Sequence, residues 1–88
     1  MRVTDTIRSK LQTAFQPQSL EIEDESHRHH GHAGAREGGE SHFRVTIVSS
    51  AFAGMGRVER QRKVYDVLKA ELAGPVHALA LTARAPGE

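Results

Sequence analysis

The pair Gly74-Pro75 constrains this chain more than any other feature. Proline cannot continue a helix, and glycine is the residue that most often takes the left-handed position just past a helix end. Before the pair, Arg57 to Ala73 carries Val58, Val64, Tyr65, Leu68 and Leu72 near helical spacing; after it, Val76 to Ala83 reads as a strand. A strand reached through a helix returns to its sheet by a right-handed crossover, which places it parallel to the strand before that helix.

That earlier strand is His42 to Ser49, where Phe43, Val45 and Ile47 alternate with Arg44, Thr46 and Val48. Ser19 to Ser26 alternates in the same way, with Leu20 and Ile22 against Glu21 and Glu23, and can pair antiparallel with it. Ahead of both, Ile7, Leu11, Ala14 and Phe15 form one stripe of an amphipathic helix from Thr4 to Phe15, with Thr4 available as its N-cap. Ser50 to Gly56 reads as a turn whose Phe52 plugs the core. The expected fold is α+β in the order αββαβ: a three-stranded mixed sheet with both helices on one face. One domain spans residues 1–88, with a core at 4–83, a mobile His/Gly-rich loop at 27–41 and a flexible tail at 84–88.

Composition narrows the function. The chain has no cysteine, so a metal site must use histidine, carboxylates or ligands supplied from outside. No apolar run approaches the roughly 20 residues of a membrane span, and Met1-Arg2-Val3-Thr4-Asp5 does not start a signal peptide, so a cytoplasmic location is expected. Net charge is +1, too small for a strong field toward nucleic acid. There is no G-x-S-x-G, H-E-x-x-H or phosphate loop, and Ser41 and His42 would point to opposite faces of a strand. A binding or adaptor domain is expected rather than an enzyme. Glu21, Glu23, Asp24 and Glu25 form an acidic group of the kind that paired carboxylates or a hard-metal site would use, but Glu21 and Glu23 lie on an outward face and read as solvated.

Asp24-Glu25-Ser26, Ser41-His42-Phe43, Val48-Ser49, Phe52-Ala53-Gly54, Arg60-Gln61-Arg62-Lys63-Val64-Tyr65 and Val76-His77-Ala78-Leu79, taken in this order, resemble the BolA family. The resemblance covers residues 4–83. It implies a class II KH-like fold (class II K-homology) with a helix-turn-helix-like segment from Phe52 to Ala73. It also implies two activities: pairing with a monothiol glutaredoxin around a shared 2Fe–2S cluster, in cluster transfer or iron sensing, and, for some bacterial members, DNA-binding transcription regulation.

By that resemblance the histidine near the start of the last strand, His77, is a cluster ligand. The second ligand falls in the loop between the first two strands, on His29 by count from Asp24-Glu25-Ser26, with His30 as second choice. Imidazole nitrogen ligates iron, as in Rieske centres. From spacing alone His77 also reads as an ordinary sheet-face histidine. The tract His27-Arg28-His29-His30-Gly31-His32 also reads as a solvated loop that binds divalent metal adventitiously. The thiolates missing from the chain would come from the glutaredoxin cysteine and from glutathione. His42 reads as an outward-facing structural or surface residue. Alone, the chain is expected to be a monomer or weak dimer.

Arg57, Arg60, Arg62 and Lys63 crowd the start of the second helix and could contact phosphates, or simply form a solvated face. Gly31-His32-Ala33-Gly34 has the spelling of a K-homology clamp but lies between strands, where such a clamp does not sit.

Overall fold

The structure, a computed structural model, describes residues 2–25 and 42–88. In chain order it contains α1 (Val3–Phe15), β1 (Ser19–Asp24), β2 (His42–Val48), a 3-10 turn (Ser50–Phe52), α2 (Arg57–Val67), α3 (Lys69–Ala73) and β3 (Ala78–Arg84). The sheet order is β1-β2-β3. β1 pairs antiparallel with β2 from Ser19↔Val48 to Asp24↔Phe43, and β2 pairs parallel with β3 from His42↔Ala78 to Val48↔Arg84. This is the expected α+β architecture, with its crossover through the second helical segment.

The alternation in β2 sends Phe43, Val45 and Ile47 into the core, where they meet Ile7, Leu11 and Phe15 of α1 and Val64 and Leu68 from the crossover. Phe52 is fully buried, as expected, and its ring lies 4.9 Å from that of Phe15. Each such apolar side chain contributes roughly 1.5–3 kcal/mol by leaving water. On the opposite face of the sheet the strands present Glu21, Glu23, Arg44, Thr46, Ala80 and Thr82. Lys10 Nζ meets Glu71 at 2.8 Å, joining α1 to α3 at the surface.

Several boundaries differ from the sequence pattern. α1 starts at Val3 with Arg2 as N-cap, so Thr4 lies inside the helix and does not cap it. β1 ends at Asp24, and Ser26 lies outside the described residues. The expected long helix is broken at Leu68, whose φ of −101° and ψ of 16° separate α2 from α3. Leu68 is buried there, and Leu68 to Leu72 keeps helical spacing across the break, which is why periodicity does not reveal it. Val58 and Tyr65 are exposed rather than part of the inward stripe. They stand seven residues apart, sharing a helix face with each other and not with Val64.

Gly74 ends α3 with φ −114°, so it is not the left-handed cap that the sequence suggests. The N–H groups of Gly74 and Val76 both donate to the Glu71 carbonyl, and a β-carbon at position 74 would stand 3.3 Å from the Ala70 carbonyl. Among the described residues positive φ falls instead at Gln16 (46°), the C-cap of α1, and at Gly54 (79°) and Gly87 (87°). β3 begins at Ala78, two residues later than expected. Residues 84–88, expected as a tail, hold the last residue of β3, a buried Ala85, and Glu88 hydrogen-bonded back to the fold.

Candidate functional site

His77 stands exposed in the lead into β3, anchored from behind by Val76, which is buried and bonded through its N–H to Glu71. Because β3 starts only at Ala78, His77 precedes the strand rather than belonging to it. The parallel register then sets Ala78 opposite His42, so His77 and His42 come together. Their rings lie 6.4 Å apart and 17° from parallel. His42, expected as an outward-facing structural or surface residue, is half-buried and stands beside His77. The signal was present in the sequence: two strands read as parallel, one beginning at His42 and the other beside His77, place their first residues side by side.

Beside His42 runs a groove of about 290 Å³, lined by Glu25, His42, Phe43, Ala78, Leu79 and Ala80. The Glu25 N–H donates to the His42 carbonyl at 2.8 Å, prolonging the β1–β2 ladder by one bond. The Glu25 carboxylate accepts from Arg44 Nε at 3.1 Å, so this residue is ion-paired and half-buried. Both chain ends that flank residues 26–41 therefore lie at the same end of the sheet as His77. His29 and His30, with His27, His32 and the Gly31–Gly34 spelling, lie outside the described residues. Among the described residues no group of three or more His, Cys, Asp or Glu side chains is placed to hold a metal ion.

The four basic residues of α2 do not form one patch. Arg60 turns toward the fold: Nε donates to the Met55 carbonyl at 3.0 Å, Nη1 to the Ala83 carbonyl at 3.1 Å, and Nη2 to Glu88 at 2.7 Å. The same carboxylate accepts from the Ala85 N–H at 3.1 Å. Hydrogen bonding to Arg60, then to Ala85, holds the Glu88 carboxyl down at about 2, and the same contact raises the Arg60 guanidinium. Arg57 and Arg60 share with Arg84 a second groove of about 520 Å³ between α2 and β3, in which Arg62 and Lys63 take no part. Glu88, missed by sequence reasoning, carries no periodic signal because it lies beyond the last strand.

The sequence and fold match known proteins along nearly the whole chain. A family model described as BolA-like protein matches residues 11–88. The chain belongs to the BolA family. BolA-family proteins are non-enzymatic. The chain is 56% identical over 89 residues to an uncharacterized Sinorhizobium protein from the cobS 5′ region, covering all of this chain and 96% of that one. It is 49% identical to BolA-like protein 1 of Mus musculus, covering 98% of this chain but only 60% of the mouse protein. A Haemophilus influenzae relative, called DNA-binding transcriptional regulator BolA, is 42% identical over the whole of this chain and 82% of its own length. Among solved structures, BolA1 from Arabidopsis thaliana superposes with a TM-score of 0.88 at 43% identity, over 98% of this chain and 94% of that one. No helix among the described residues is long and apolar enough to cross a membrane.

Proposed function

We propose that this BolA-family chain pairs with a monothiol glutaredoxin around a shared 2Fe–2S cluster, in iron-sulfur cluster transfer or iron sensing. The observation that supports this reading is the place of His77: exposed, on a buried anchor, and at the end of the sheet from which residues 26–41 depart and to which they return. His77 is the first ligand on this reading, and His29 the second, with His30 as the alternative. The donor set fits such a group. Imidazole ligates iron, and histidine in place of thiolate raises a cluster's potential. With no cysteine in the chain, the thiolates come from the glutaredoxin cysteine and from glutathione, which suits a glutathione-containing compartment such as the cytoplasm. When bound, the cluster supplies the electron-accepting and transferable iron. The chain's own part is to present a neutral imidazole from a fixed backbone.

The test is reconstitution of both proteins with iron, sulfide and glutathione. The wild-type pair should give the visible and circular-dichroism bands of a mixed-ligand cluster, and His77→Ala should lose or alter them. Identical spectra would remove His77 from the site.

A second reading, a DNA-binding transcriptional regulator using segment 52–73, is favoured by the name of the Haemophilus relative and by the groove carrying Arg57, Arg60 and Arg84. Binding to a promoter fragment that keeps its sequence preference as salt is raised would support it. Binding that loses all preference at moderate salt would leave only non-specific phosphate attraction.

A further inference from the structure

His42 has no role in the proposed cluster, yet it is the imidazole that stands against His77. We infer that His42 and His77 together form a two-imidazole site for a borderline divalent transition-metal ion of the zinc or nickel class, complete without residues 26–41 and without a partner protein.

The register brings the pair together. His42 opens β2 opposite Ala78, and hydrogen-bonded strands run only about 4.8 Å apart, so the residue before Ala78 lies within bridging reach of His42. Two imidazoles bound to one tetrahedral ion at about 2.0–2.1 Å place their ring centres roughly 5.2 Å apart. The observed 6.4 Å is longer than that, so the rings must close by about 1 Å, a movement that rotation of the exposed His77 side chain supplies.

Preorganisation is shared unequally. His42 is half-buried in a strand with its carbonyl bonded to Glu25, whereas His77 is exposed. Most of the ordering entropy therefore falls on one side chain. Neutral imidazole suits zinc, nickel, copper and iron over magnesium or calcium, which want oxygen. Glu25 lines the same groove and gives it a carboxylate, itself oriented by Arg44. Two protein ligands leave positions open on the ion for water or an incoming ligand, so the site is exchangeable. It shares only His77 with the cluster site, so ion and cluster exclude one another.

The test uses the full chain with His27, His29, His30 and His32 all replaced by alanine, which removes the competing tract. Calorimetric titration with nickel chloride and with zinc chloride should show about one ion per chain, with the imidazole NMR signals of His42 and His77 shifting together. Adding His42→Ala or His77→Ala should each weaken binding by tenfold or more, since even residues behind a metal ligand typically cost about 10–100-fold. His42→Gln repeats the test with a polar side chain if His42→Ala lowers the thermal midpoint. Absence of binding in the loop variant, or unchanged affinity on replacing His42, overturns the inference. The cluster reading fails separately, through unchanged spectra of the glutaredoxin mixture with His77→Ala.

Discussion

The Ser49 hydroxyl donates a 2.6 Å hydrogen bond to the carbonyl of Phe15, the last residue of α1. Ser49 is the one buried polar residue among those described, and it serves three elements at once. Its Oγ also accepts from the Ala51 N–H, starting the 3-10 turn, and its own N–H reaches the Arg84 carbonyl at the end of β3. Ser49→Ala leaves the buried Phe15 carbonyl and the part-buried Ala51 N–H short of a partner. The expected loss is about 1–3 kcal/mol. In urea the midpoint should fall while the m-value stays constant.

Phe52 fills the space between α1 and the crossover, with its ring against Phe15. Phe52→Ala should cost about 3–5 kcal/mol, the usual range for a buried phenylalanine. In a domain of this size that is a large share of the total stability, and the thermal midpoint should drop by well over 10 °C, about 4–8 °C per kcal/mol. Phe52→Leu, which keeps most of the volume, should recover most of it.

The Arg60–Glu88 contact predicts an acid-sensitive increment of stability. Glu88 has a folded-state value of about 2 against an ordinary 4.5, so the native state binds its proton less readily than the unfolded chain does. The contribution is complete above the ordinary value and is lost as pH falls from there toward 2. Thermal midpoints of wild type and Glu88→Gln should therefore differ most near pH 6 and converge toward pH 2. A constant gap across that window would show that the carboxylate charge is not responsible.

His77 is exposed, so His77→Ala should change stability by no more than about 0.5 kcal/mol. Any loss of cluster or metal binding in that variant then reports on ligation and not on folding. Denaturation in the absence of iron and zinc measures this directly.

What the sequence revealed follows from where side-chain periodicity reaches. Phe43, Val45 and Ile47 announce β2, and Ile7, Leu11 and Phe15 announce α1, because each set must face one core. Leu68 hides the break between α2 and α3 because its spacing to Leu72 survives it. Gly74 suggested a left-handed helix cap, a conformation that Gln16 and not a glycine adopts at the end of α1, since composition marks where a chain turns and not which dihedral it uses. Ser49 and Glu88 act through a few specific hydrogen bonds, which leave no period to detect. His77 stood out through its surroundings in the sequence, whereas His42 gains meaning only once β2 and β3 are laid side by side.

β1 and β2 keep an unbroken antiparallel register from Ser19↔Val48 to Asp24↔Phe43, although residues 26–41 intervene. Closing a connection costs entropy that grows only with the logarithm of its length, about 0.6 kcal/mol for each doubling. That is less than the burial of one methylene, about 0.8 kcal/mol. The sheet therefore exerts almost no pressure on how long this connection is or how many histidines it carries. Residues can be gained or shed there while His42, fixed by strand register, and His77, held by the anchored lead into β3, stay where they are.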